Sequence, residues 1–345
     1  MTLQTRQPTG VVPWPLILIE GGEKTGKSYA CAVLSASKKI GRTLWLDWGE
    51  GAADEYGAIP GARYEVIEHD GTWTSIMGQV AAAKEEAQRA KEAGEPPVVL
   101  ILDSITCEWE QLKDWAADRA KTQRANREKL QRDPNAEISV SMNLWNDAAS
   151  RHRKLMTQLM TFSGIVVLTA RGGETALVEN GKPVEGKKSY RVDGHKSLAF
   201  DASCWLRLSR DSRPVIVGAR SVHASAGRPG IDPPEALPRD WSLEWLIFDK
   251  LQCNPARAHV RDLAEPAAEV LTPEQIRDEA LDPKTSFDRI RELHAIARQQ
   301  YADVSLTSET GDDELLTEIL FRAGNERKPK PALAAVPVAN GKAAS

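Results

Sequence analysis

Eight consecutive residues, Gly21-Gly22-Glu23-Lys24-Thr25-Gly26-Lys27-Ser28, fit the pattern G-x-x-x-x-G-K-[ST], and the apolar run Leu16-Ile17-Leu18-Ile19 stands just before them. The pattern requires a buried strand on one side of the loop and a helix on the other. Successive backbone N–H groups of such a loop, with the positive end of the following helix, form a concave anion site suited to β- and γ-phosphates. Gly21 and Gly26 permit the tight backbone path. Lys27 supplies a compact positive charge for phosphate oxygens, and the Ser28 hydroxyl completes the shell of a Mg²⁺ ion. The expected ligand is a nucleoside triphosphate, ATP with Mg²⁺, touched by Gly21, Gly22, Glu23, Lys24, Thr25, Gly26, Lys27, Ser28 and Tyr29.

Apolar runs suited to buried parallel strands recur at Leu16–Ile19, Thr43–Leu46, Val98–Leu102 and Ile165–Leu168. Helix-like stretches separate them at 27–40, 73–93, 104–131 and 143–162. That alternation predicts an α/β core with a doubly wound, mainly parallel sheet. Ser203–Leu208 and Pro214–Val217 read as a final pair of strands extending it. The core is expected over 1–250, a helical accessory region over 251–325 with helices at Leu271–Ala280, Ser286–Tyr301 and Asp312–Ala323, and a disordered Pro, Ala and Lys-rich tail over 326–345.

A formal charge of −4 gives no global basic bias, so any nucleic-acid contact must come from local patches. Cys31, Cys107, Cys204 and Cys253 form no C-x-x-C pair, which argues against a zinc site or a disulfide framework and for a reducing cytoplasm. No export signal opens the chain and no apolar run reaches the ~18 residues of a membrane span. Ten tryptophans against five phenylalanines is an unusual ratio, and their place inside predicted elements assigns most of them to packing rather than base stacking.

Asp103 closes Val98-Val99-Leu100-Ile101-Leu102, a buried strand ending in a carboxylate that can hold the outer shell of Mg²⁺ beside Ser28. Asp103-Ser104 could instead cap the helix that follows. Hydrolysis also needs a group to deprotonate or orient water, and the candidates are Asp47 and Glu50, past the strand Thr43-Leu44-Trp45-Leu46. Carboxyl ends of parallel strands line one crevice, so Glu50 can face the loop past the first strand and is the expected base. The alternative is that these acids only satisfy turn amides.

The stretch Leu44-Trp45-Leu46-Asp47-Trp48-Gly49-Glu50-Gly51 resembles the RecA-type segment in which a strand ending in Asp is followed by the catalytic Glu, with one extra residue here. Leu100-Ile101-Leu102-Asp103-Ser104-Ile105-Thr106 is similar to the RecA-type Mg²⁺ strand, and Leu198–Leu208 to the strand after the second DNA-binding loop. The likeness covers residues 14–225 and extends to phage-encoded RecA-like ATPases of single-strand annealing and recombination. It implies an ATP-bound homo-oligomer, filament or ring, in which a neighbouring subunit offers positive charge to the γ-phosphate. Arg220 is the first candidate for that role and Lys196 the second. Thr169 and Arg171 fall at the family's γ-phosphate sensor, where RecA itself carries glutamine.

Residues 172–196 form a long connection containing Lys182, Lys187, Lys188, Arg191 and Lys196. Asn180-Gly181 is a two-residue hairpin signal, so part of it is expected as a β-ribbon. Its position matches the family's second DNA-binding loop, and its cations could track a phosphate backbone despite Glu174, Glu179, Glu185 and Asp193. Arg119, Lys121, Arg124, Arg127, Lys129 and Arg132 form a second basic cluster, spread around a helix as solvated faces commonly are.

The sequence thus reads as a cytoplasmic, Mg²⁺-dependent ATPase, phage-encoded by resemblance, that binds single-stranded DNA in recombination or annealing. A replicative helicase-type motor and a nucleotide-switched scaffold are the alternatives, the latter with C-terminal helices recruiting a partner such as a single-strand-binding protein. No arginine-bearing lid supports a small-molecule kinase.

Overall fold

The computed structural model describes residues 3, 5, 7–179, 182–224, 234–261, 263, 271–283, 285–307 and 313–328. The chain forms two compact units, Met1–Leu263 and Ala264–Ser345. The first contains β1 (Leu16–Gly21), α1 (Lys27–Ser35), β2 (Thr43–Asp47), α2 (Ala53–Tyr56), β3 (Tyr64–Val66), α3 (Trp73–Glu92), β4 (Val99–Asp103), α4 (Ile105–Thr122), α5 (Arg124–Arg132) and α6 (Met142–Met160). It continues with β5 (Ile165–Glu179), β6 (Lys182–Asp193), α7 (Leu198–Asp201), β7 (Cys204–Leu208), β8 (Val215–Ala219), β9 (Glu235–Ala236) and α8 (Leu243–Trp245), which runs on as a π-helical turn, Leu246–Lys250.

Alternation of side chains along buried strands builds two hydrophobic layers. Leu16, Leu18, Leu44, Leu46, Leu100, Leu102, Val166 and Leu168 pack one sheet face against Ile76 and Val80 of α3 and Leu155, Met156 and Leu159 of α6. Ile17, Ile19, Trp45, Val99, Ile101, Ile165 and Val167 pack the other against Cys31, Ala32 and Leu34 of α1 and Leu243 of α8. Both faces are covered, which is why these strands read as unbroken apolar runs. Each fully buried Leu or Ile contributes about 1.5–3 kcal/mol, so the sheet is a stiff platform for whatever its ends carry. Trp14, Trp45 and Trp48 are buried within these layers.

The nine-stranded sheet has the order β3-β2-β4-β5-β1-β7-β8-β9, with β6 pairing the far part of β5. β1 to β5 and β7 run parallel, whereas β6, β8 and β9 are antiparallel to their neighbours. The expected α/β class with a doubly wound, mainly parallel sheet is the fold observed. Register aligns Gly21 with Arg171 and Asp47 with Asp103, so the ends of β1, β2, β4 and the core part of β5 meet on one edge. β5 does not stop at that edge. It continues as a ribbon with β6, paired from Arg171 and Asp193 out to Glu179 and Lys182. Asn180 and Gly181, the expected turn, lie outside the described residues.

Residues 251–261 belong with the first unit: Leu251, Cys253 and Ala258 join its core, and the Trp14 N–H donates to the His259 carbonyl at 3.0 Å. The second unit comprises α9 (Pro273–Leu281), α10 (Phe287–Gln300), the antiparallel pair β10 (Ser305–Thr307) and β11 (Asp313–Leu315), and α11 (Leu316–Glu326). Thr272 caps α9 through a capping box with Gln275, and Ser286 caps α10. Ile276, Ile290, Leu293, Leu316 and Leu320 form its core. Of the tail expected over 326–345, residues 329–345 lie outside the described residues. Among the described residues no helix is long and apolar enough to cross a membrane.

Candidate active site

The loop after β1 is shaped by close packing as much as by its ligand. A Cβ on Gly21 would meet the Leu208 carbonyl oxygen inside contact distance and Thr25 Oγ1 at 2.8 Å, so β1 and β7 could not stay paired beside a larger residue. Gly26, the N-cap of α1, sits at φ 90°, in the left-handed region. Lys27 extends back across the loop, its Nζ donating to the carbonyls of Gly21 (3.0 Å) and Gly22 (2.8 Å). Burial lowers the pKa of this ammonium, against the raising fields of Asp103, Glu50 and Glu20.

These residues line a cavity of about 560 Å³, within the range of small-molecule sites. Gly21 to Ser28 form one wall, and Glu50, Ala52, Tyr56, Asp103, Ser104, Arg171, Gly172, Gly173 and Asp193 the rest. Asp103 is 1% exposed at the end of β4. Burial raises its carboxyl pKa, while the hydrogen bond from Thr169 acts the other way. Thr169 Oγ1 donates to Asp103 Oδ1, and among the described residues the buried Asp103 Oδ2 has no hydrogen-bond partner. A buried carboxylate oxygen without a donor, beside the phosphate-loop hydroxyl, fits a divalent cation: Ser28 and Asp103 would hold Mg²⁺.

Sequence reading favoured Glu50 over Asp47 as the base, and the structure gives the two carboxylates different surroundings. Asp47 Oδ1 accepts the N–H groups of Glu50 (3.1 Å) and Gly51 (2.9 Å), and Oδ2 that of Ala53 (3.2 Å). Asp47 is therefore consumed in ordering the turn. Glu50 enters the cavity, where Oε1 accepts from Ser104 Oγ at 2.8 Å and pairs with Arg171 at 3.0 Å. Burial alone would raise the Glu50 carboxyl, yet the hydrogen bonds of Ser104 and Arg171 and the charge of Arg171 hold it below its ordinary value. A carboxylate kept ionised beside a phosphate site can accept a proton from water.

Not every expected contact reaches the cavity. Thr169 is fully buried behind Asp103 and orients that carboxylate, so the wall at this position is Arg171. Tyr29 is half exposed outside it and packs edge-on to Tyr56, which lines it. Arg220 follows β8, its N–H donating to the Ser203 carbonyl and its guanidinium to the Phe200 carbonyl at 3.1 Å. Ser203 precedes β7, so Arg220 lies at the edge of the sheet opposite this chain's phosphate loop. Arg191 is exposed on β6 across from Gly173, and Lys196 is exposed in the turn before α7. Lys182, Lys187 and Lys188 have their backbones on β6, and their side chains lie outside the described residues. In the second basic cluster Lys121 pairs with Asp118 and Arg124 with Glu128, as on a solvated helix surface.

Two pairs built on buried acids escaped the sequence. Glu20 of β1, fully buried, accepts from Arg207 Nε of β7 at 2.7 Å, and the guanidinium stacks 3.8 Å over the Tyr190 ring of β6. Glu108 of α4 accepts from or donates to His152 Nδ1 of α6 at 2.9 Å, and the His152 ring lies 4.4 Å from that of His195. An acid inside the apolar run Leu16–Gly21 is the one local hint of the first pair; the second has none, its members standing 44 residues apart.

Comparison with known proteins follows this geometry. The family described as AAA domain matches residues 15–197. No curated protein matches the chain. Among solved structures it is similar to the RadB recombinase, at 15% identity over 61% of this chain and 83% of that one, TM-score 0.35. It is also similar to a prototypical ATPase from the type III secretion system of pathogenic bacteria, at 13% identity over 90% of this chain and 80% of that one, TM-score 0.35.

Proposed function

The chain belongs to the AAA domain family of P-loop ATPases, and on that footing we propose that it is a Mg²⁺-dependent ATP hydrolase that assembles as a homo-oligomer on single-stranded DNA and acts in recombination or annealing. The observation that carries the reading is the meeting of Lys27, Ser28, Asp103, Glu50 and Arg171 around one cavity whose wall is also the root of the β5–β6 ribbon. Lys27 would exchange its loop carbonyls for β- and γ-phosphate oxygens. Glu50 would take the proton of the attacking water, with Ser104 fixing its Oε1. Mg²⁺, when bound through Ser28 and Asp103, would supply charge neutralisation on the phosphates. Arg171 stands where it can move from Glu50 to a terminal phosphate, and because its neighbours Gly172 and Gly173 begin the ribbon, nucleotide state has a short route to the basic strand.

The DNA role rests on Lys182, Lys187, Lys188, Arg191 and Lys196 and on the resemblance stated above. Arg220, on the opposite sheet edge, could serve only the site of an adjoining copy, and a bacterial host cytoplasm and a single-strand-binding protein partner complete the reading. The test is ATP turnover with and without single-stranded DNA, alongside DNA retention by Lys27→Ala. Stimulation by DNA, lost when Arg191 and the three β6 lysines are reversed to Glu with basal turnover kept, supports the reading. Turnover indifferent to DNA, with ATP leaving DNA binding unchanged, sinks the recombination part.

A further inference from the structure

In the second unit, α10 and α11 leave a groove of about 300 Å³ between them, lined by Phe287, Ile290, Leu320 and Phe321 on its apolar side. Phe321 is 63% exposed, an unusual state for a phenylalanine beside so small a core. The rim is cationic. Arg291, His294 and Arg298 fall at positions i, i+3 and i+7 of α10, and Lys328 closes the end beyond α11. Among the described residues no acidic side chain lines the groove.

The arginines of this unit divide into two sets. Arg289 is tied to Glu279 and Glu292, Arg322 to Glu314, and Arg327 to the carbonyls of Ala280 and Leu281. These hold the fold. Around the groove, Arg298 and Lys328 have no side-chain partner among the described residues, and Arg291 has only Asp288 at 3.8 Å, both highly exposed, a pairing of little worth. Acidic residues nevertheless outnumber basic ones fifteen to ten between Ala264 and Ser345. Among the described residues, cations that are unpaired or only weakly paired gather on one apolar groove of an otherwise acidic unit.

We propose that this groove binds an acidic peptide segment of another protein, one bearing an aromatic or large aliphatic side chain that enters between Ile290 and Phe321 while neighbouring carboxylates meet Arg291, Arg298 and Lys328. A helix pair with an apolar floor and a charged rim is a recurrent way of holding a short segment. The negative charge of the unit as a whole disfavours a long polyanion, whereas a short acidic segment feels mainly the local cations. Residues 329–345 contain Lys330 and Lys342 and no acid, so their charge does not complement this rim. The inference is independent of the ATPase reading, and Glu50→Gln should bind the peptide as well as wild type does.

The experiment measures fluorescence anisotropy of a short labelled poly-aspartate peptide ending in Phe, titrated with the full chain, Phe321→Ala and Arg298→Glu. Wild type should bind, and each variant should weaken binding by about tenfold or more. Replacing the peptide's Phe by Ala should do the same, and added salt should weaken the complex. Because Phe321 and Arg298 are outside the core, unchanged circular dichroism and ATP turnover of both variants are expected. Equal binding by all three proteins overturns the proposal. So does tighter binding of a single-stranded oligonucleotide at the same groove, or a smaller assembly for Phe321→Ala in sedimentation, which would make the groove a contact between copies.

Discussion

Replacing Asp47 by Ala isolates the part played by the turn that carries Glu50. The substitution removes three accepted amide hydrogen bonds, from Glu50, Gly51 and Ala53. A hydrogen bond to a charged group contributes about 1.5–3 kcal/mol, and partial solvation here reduces each to about 1 kcal/mol, for a total near 3 kcal/mol. Fixing each turn residue costs about 1–2 kcal/mol of backbone entropy, which those bonds offset. Without them the aligned turn becomes disfavoured by on the order of 1–3 kcal/mol, so kcat should fall about 10–100-fold. ATP affinity should hold, because Lys27 and the phosphate loop are untouched. Steady-state turnover with separate measurement of nucleotide binding reads both quantities, and Asp47→Asn, which retains an acceptor, should fall between. Wild-type kcat in Asp47→Ala would refute the reasoning, and so would an Asp47→Asn as inactive as Glu50→Gln, since Asp47 would then be the base.

Three further outcomes follow from the geometry. Arg171→Ala removes a charge and a hydrogen bond that hold the Glu50 carboxyl low, so the acidic limb of the kcat/KM profile should move to higher pH; a limb that stays in place contradicts the pairing. Gly21→Ala forces β1 away from β7 and should lower stability by about 2 kcal/mol in denaturant unfolding, whereas an unchanged midpoint would show that the close approach to Leu208 is not maintained. Burial and the neighbouring His152 depress His195 from 6.5 to about 4. Its folded pKa lies below its unfolded one, so the unfolded chain takes up the proton first and stability should fall as pH drops from about 6.5 towards 4; His195→Gln should flatten that slope, and an equal slope in both proteins would assign it elsewhere.

What the sequence made legible was whatever chemistry is local. The phosphate loop, the strand that ends at Asp103 and the apolar runs of β1, β2, β4 and β5 depend on neighbours in the chain, and each is found where the pattern put it. Glu50 could be nominated from parallel-sheet geometry, yet its separation from Asp47 depended on which carboxylate the turn amides captured, a choice made in three dimensions. Thr169 was read as a nucleotide contact because, at the end of its strand, it falls at the γ-phosphate sensor position of the family the chain resembles. Thr169 instead lies fully buried in the sheet and donates to Asp103, and Arg171, on the same face two residues nearer the strand's open edge, lines the cavity. The helix read over 104–131 is broken at Gln123, whose extended backbone separates α4 from α5 without a proline or glycine to announce it. Residues 251–261 looked like the start of an accessory region because their texture is polar, and only their packing on Trp14 and its neighbours joins them to the first unit. Short pieces such as β3, β9 and the β10–β11 pair owe their existence to the neighbours they pair with and left no periodic trace.

The central claim is that Glu50 activates water over a nucleotide held by the loop of Lys27. Single-turnover hydrolysis of pre-bound ATP by Glu50→Gln tests it most directly. The account predicts that the variant binds Mg²⁺ and ATP as tightly as wild type and cleaves the γ-phosphate at least about a hundredfold more slowly. Cleavage at the wild-type rate from the fully bound state would contradict it.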